Sequence, residues 1–105
     1  MALFADDSAE AARFHECRSA PHGERVDADL LAQAGAYAGA MAWDGHVAHH
    51  GRPGTLARAQ DLAVQAADAF IDETAKERAL DDDAVRTAKD QAAEKLGGLL
   101  RAEYA

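Results

Sequence analysis

The chain has a single cysteine, Cys17, and so can form no internal disulfide. That fits a reducing, cytoplasmic setting. Basic side chains are few: 11 Lys and Arg stand against 19 Asp and Glu, for a net charge of -8. Free nucleic acid and anionic membrane surfaces are poor partners for such a charge, and a basic protein surface is a better one. The Lys–Arg clusters that anchor peripheral membrane proteins are missing. β-branched residues are sparse and no stretch alternates apolar with polar for long, so no strand is expected. The opening residues MALFADDSAEAARF have no basic region and no long apolar stretch, unlike a secretory signal. No phosphate-binding loop, supported Ser-His-Asp arrangement or basic aromatic patch stands in the sequence. The chain therefore reads as non-enzymatic, with no cofactor predicted.

Alanine is abundant, at 28 of the 105 residues. It is the best helix former, because its side chain has no rotamer entropy to lose. It also brings little apolar area to a core, at about 0.8 kcal/mol per buried methylene. Two remedies are open: unusually close helix packing, or a core shared with a second copy. Both favour a homo-oligomer.

One segment organises the rest. Leu30–Trp43, LLAQAGAYAGAMAW, carries no charge, and Gln33 is its one strongly polar residue. A helix apolar all round must be wrapped by other elements, and this run is too short to span a membrane, which takes about 20 residues. Leu30, Ala34, Tyr37 and Met41 form one expected face. Gly35, Ala38, Gly39 and Ala42 form a second, smooth one, over which another backbone can approach closely. Interior glycines each cost about 1 kcal/mol against alanine, and close approach offsets that.

Four helices are expected in a single domain over residues 1–105. The first starts near Asp7, with Asp7 and Glu10 as a capping-box variant. It uses Ala9, Ala12, Phe14 and Cys17 as its apolar positions, with Leu3 and Phe4 folded back over it. It ends at Ser19-Ala20-Pro21-His22-Gly23. The second has Asp27 or Asp29 near its cap and either breaks at Asp44-Gly45 or, as favoured here, continues through Trp43, Val47 and His50 to Gly51 as its C-terminal stop. Arg52-Pro53-Gly54 is a turn and Thr55 an N-cap. The third helix has Leu56, Ala59, Ala63, Ala66 and Phe70 as its core stripe, with Val64, Ala67 and Ile71 beside it. Asp81-Asp82-Asp83 caps the fourth, whose stripe is Val85, Ala88, Ala92, Leu96, Leu99 and Leu100. Gly97-Gly98 is expected to kink this helix or end it early. Short connections make neighbours antiparallel. The fold class is all-α: a compact antiparallel bundle of three to four helices, expected to be homo-oligomeric.

Three sets of residues carry possible function. Asp61, Asp68 and Asp72, with Asp81, Asp82 and Asp83, offer acidic faces to a basic, nucleic-acid-binding partner protein. Trp43 serves either as an interface anchor or as a plug at the end of the core. The leading expectation is thus a regulator, adaptor or inhibitor acting by protein–protein interaction, set against an acidic surface that serves solubility alone.

The alternative is a metal- or haem-binding bundle. In His46-x-x-His49-His50, His46 shares a helix face with either of the others. Imidazole suits zinc and other transition metals. A third ligand would come from His15, Glu16, Cys17, His22 or Asp44. Cys17 itself reads as a small core residue, because adjacent His15 cannot face it on a helix.

Trp43-Asp44-Gly45 resembles the Trp-x-Gly of WXG100 proteins, small helical hairpins exported by type VII secretion. The resemblance implies two long helices with Trp43 at their turn, and an exported protein. It covers three residues and the overall length. Pro21, Gly23 and the turn at Gly51-Arg52-Pro53-Gly54 depart from a single hairpin, and only Ala105 follows Tyr104 where that family has its tyrosine-then-acid signal. It stands as a second alternative.

Overall fold

The central helix forms where the uncharged run predicts it. In the computed structural model, which describes residues 8–19, 28–78 and 80–104 (side chains at 16–19 and 78 excepted), the element order is α1 (Ala9–Ser19), α2 (Ala28–His50), α3 (Leu56–Arg78) and α4 (Asp82–Glu103). No strand occurs among the described residues. No helix among them is long and apolar enough to cross a membrane. Leu3, Phe4, Asp7, Pro21, His22, Gly23 and Asp27 lie outside the described residues, as do the side chains of Glu16 and Cys17.

Local chemistry sets the helix ends. Ser8 caps α1: its Oγ accepts from the Ala11 N–H at 3.1 Å. Thr55 Oγ1 accepts from Arg58 N–H at 3.2 Å, and Asp81 Oδ1 from Ala84 N–H at 2.8 Å. Each meets an amide that the first turn leaves without a helical partner. Gly51, at φ 79°, stops α2 and donates its N–H to Val47 O at 3.0 Å. That left-handed conformation favours glycine.

α2 packs against all three other helices. Gly35 faces Ala67 and Ile71, while Gly39 faces Ala63, so α3 runs antiparallel to α2. Lys89 meets Asp72 and Gly97 lies beside Gln60, so α4 is antiparallel to α3. The core is formed by Leu31, Ala34, Ala36, Ala40 and Trp43 of α2 with Ala59, Ala63, Ala67, Ile71, Ala88, Ala92, Leu96 and Leu100. α1 adds Ala11 and Phe14, whose ring lies tilted against Tyr37 and Phe70 at 5.1 Å and 5.2 Å between centroids.

Several expectations need correction. On α2 the buried side is Leu31, Ala32, Ala34, Gly35, Ala36, Gly39, Ala40 and Trp43, and Met41 is 48% exposed. On α3 the deepest line is Ala59, Ala63, Ala67 and Ile71, with Leu56, Ala66 and Phe70 on its flank. Gly39 brings the α3 backbone so near that alanines line that part of the contact, Ile71 packs over Gly35, and the other large side chains sit beside it. On α1, Ala9 and Ala12 are exposed and Ala11 is buried. Gly97-Gly98 neither ends nor interrupts α4, which continues to Glu103. Finally, α2 is unbroken through Trp43-Asp44-Gly45, so the turn that the WXG100 resemblance implies is not there.

Within the chain, the alanine-rich core is closely packed. A Cβ on Gly39 would lie 2.5 Å from the Ala63 carbonyl oxygen and 2.7 Å from Leu96 Cδ1. Gly45 is exposed, with nothing within 4 Å of an added Cβ. The two positions therefore separate packing from propensity. Gly39→Ala is expected to destabilise the fold by about 1–3 kcal/mol, the range for overpacking against atoms that cannot yield. Gly45→Ala should stabilise it by about 0.5–1 kcal/mol through lower backbone entropy in the unfolded chain. Urea unfolding followed by circular dichroism checks both signs.

Candidate functional site

Two clusters of chemically active side chains emerge, one along the α3–α4 seam and one at the end of α2. On α3, Asp61, Asp68 and Asp72 are seven and four residues apart and share one face. Asp61 and Asp72 are exposed and Asp68 is half-buried. The antiparallel neighbour α4 brings Lys89 and Asp90 to them. Lys89 Nζ lies 2.8 Å from Asp72 Oδ1. Asp83 stands seven residues before Asp90, on the same side of α4. Lys76 and Arg86, both exposed, flank this surface.

Asp68 is the sensitive member. Desolvation, with repulsion from Asp72 and Asp90, holds its carboxyl above the ordinary carboxylate value, against the pull of Lys89. Lys89 shifts the other way in stability terms: its hydrogen bond to Asp72 raises its pKa and favours the ammonium form. Asp68 and Asp72 were expected from the sequence; Lys89 and Asp90 were not. Their signal is their place beside the core positions Ala88 and Ala92, which puts them at the edge of a helix–helix seam. The partner residues across that seam follow only from the register of α3 against α4.

The Asp81–Asp83 run divides in role. Asp81 is occupied as the N-cap of α4, and Asp82 and Asp83 sit exposed in its first turn, where the helix dipole favours negative charge. Trp43 is 3% exposed and belongs to the core. This is the burial expected of a plug at the end of the core. Its Nε1 has no hydrogen-bond partner among the described residues.

The histidines crown the C-terminal end of α2. His46 is half-buried, and His49 and His50 are exposed. The rings of His46 and His50 are 5.1 Å apart between centroids, and those of His49 and His50 are 6.4 Å apart. His15 is away from them, its ring near Phe14 and Tyr37. Among the described residues no group of three or more His, Cys, Asp or Glu side chains is placed to hold a metal ion. The same end of the bundle is closed by the connection into α3. Tyr104 donates its hydroxyl to Pro53 O at 2.7 Å, and Arg52 lies over the Tyr104 ring at 4.4 Å while bonding Glu103 O. Elsewhere, a shallow groove of about 240 Å³ runs between α1, α2 and α4, past Gln33, Gln91 and Lys95.

The shift at Asp68 has a pH consequence. Its folded-state pKa lies above the unfolded value, so the folded state holds the proton more tightly. Stability from this group therefore falls as pH rises from 3.8 through the raised folded value, and stays lower at neutral pH. Asp68→Asn is expected to raise the melting temperature at pH 7, with the gain closing as pH falls below the carboxylate range. Thermal melts from pH 3 to 7 read this directly. A variant less stable than the parent at pH 7 would reverse the assignment.

A protein-family model described as virulence factor CipC-like matches residues 10–103, which run through all four helices. No curated protein and no solved structure matches the chain. With all but its first nine and last two residues inside the match, the chain belongs to the virulence factor CipC-like family.

Proposed function

We propose that the chain acts by protein–protein interaction, with the exposed side of the α3–α4 seam as its contact surface for a basic partner. The observation that carries this reading is the meeting of Asp68 and Asp72 with Asp90 across two helices, where one lysine, Lys89, stands among them. Asp61 extends the line along α3 and Asp83 along α4. Carboxylates held at fixed spacing on rigid helices, in a chain of net charge -8, attract a Lys- or Arg-rich surface and orient it. A regulator or inhibitor covering a basic, nucleic-acid-binding site is the specific form of this proposal. Family membership gives that contact, on this reading, a setting in virulence. Self-association belongs to the same proposal, since an alanine-rich core gains apolar area from a second copy.

The test uses a lysine-rich peptide of about ten residues as the basic probe, followed by fluorescence anisotropy at several salt concentrations. Affinity is expected to fall steadily with salt, and the triple variant Asp61→Asn, Asp68→Asn, Asp72→Asn to bind about tenfold more weakly or worse, a change of roughly 1.4 kcal/mol. Binding that is indifferent to salt, or equal in the variant, would remove the seam as the contact surface.

A further inference from the structure

We infer that His46 and His50 form a two-imidazole site for a divalent late transition metal, copper(II) above the others, independent of the acidic seam. One uninterrupted helix carries both residues one turn apart, so their side chains project the same way. Gly51 stops the helix directly after His50, so the pair occupies its last turn. Apart from Val47 O, which accepts from Gly51 N–H, the last backbone carbonyls of the helix have no helical donor, and their partial negative charge favours a cation.

The ring geometry suits a shared ion. With metal–nitrogen bonds of about 2.0–2.1 Å and roughly 1.1 Å from nitrogen to ring centre, two imidazoles hold their centroids about 5 Å apart on a tetrahedral ion and about 4.5 Å apart at neighbouring positions of a square-planar one such as copper(II). His46 and His50 stand at 5.1 Å with their planes inclined by 43°. Binding then asks one nitrogen of each ring to turn toward a common point. His46 is half-buried and so holds one side of the site in place, while exposed His50 leaves a path for the ion. His49 is displaced around the helix, its ring 6.4 Å from that of His50. It is the natural control, being the same residue type in the same turn.

Imidazole is a borderline donor that favours copper, nickel and zinc over magnesium and calcium, which take oxygen ligands. Among the divalent first-row ions the order of affinity peaks at copper. Two protein ligands leave the remaining coordination positions to water or to a donor on another molecule. The site therefore binds a metal without the closed shell of a structural zinc centre.

Isothermal titration of the full chain with copper(II) in a non-coordinating buffer, with magnesium in excess, tests the assignment. One copper ion per chain is expected, together with an electron paramagnetic resonance spectrum split by two nitrogens. His50→Ala is exposed and should leave the helical circular dichroism intact. It and His46→Ala are each expected to weaken binding about tenfold or more, and His49→Ala less than about threefold. Zinc should bind at the same place more weakly than copper. Equal affinity in the parent and His50→Ala would overturn the site, as would an equal loss in His49→Ala. Competition by magnesium at comparable concentration would also overturn it, marking general attraction to the acidic surface instead.

Discussion

Everything in this bundle depends on how closely α2 and α3 approach at Gly35 and Gly39. At Gly39 the Ala63 carbonyl lies where a side chain would start, so the distance between the helices is set by backbone against backbone. That distance decides which α3 residues are interior. Ala59, Ala63 and Ala67 fit between the helices, and Ile71 reaches in over Gly35. The large residues Phe70 and Leu62 move to the flank. Phe70 is then placed to receive Phe14, which brings α1 onto the bundle. Close contact also answers the weakness of alanine as a core residue. Each methyl removes little area from water, but tightly apposed helices gain many dispersion contacts per residue.

Legibility in the sequence followed the range of the interaction. Caps and stops are local, and Thr55, Asp81 and Gly51 all perform the roles their residue types suggest. The first helix shows the limit of that rule. Ser8 is also a good capping residue, and its bond to Ala11 depends on the helix starting at Ala9, a register that the order of residues alone does not fix. The central helix was legible from the absence of charge over fourteen positions. Its exposed Met41 was not, because a face apolar all round gives no direction to a helical wheel. The α3 stripe misled for a related reason. Size usually marks the interior, yet here alanines hold it opposite Gly39, where the backbones approach most closely, and Ile71 enters only over Gly35.

The functional clusters divide along the same line. His46 and His50 were readable as one-turn neighbours, and their rings lie together as that spacing implies. Asp68 and Asp72 were readable as one face of α3. Their electrostatic setting was not, because it comes from Lys89 and Asp90 on another helix. The family match spans the whole bundle and so concerns all four helices at once.

The stitch between Arg52, Pro53 and Tyr104 joins positions 51 residues apart in sequence. Such a long closure pays its entropy only after the intervening helices have found their places. The carboxyl end of α4 thus acts as a latch on the connection between α2 and α3, and the loop's order is tied to the integrity of a distant terminus. Fraying of that last turn would slacken the loop and with it the frame behind the histidine crown, although the chain between them stays untouched.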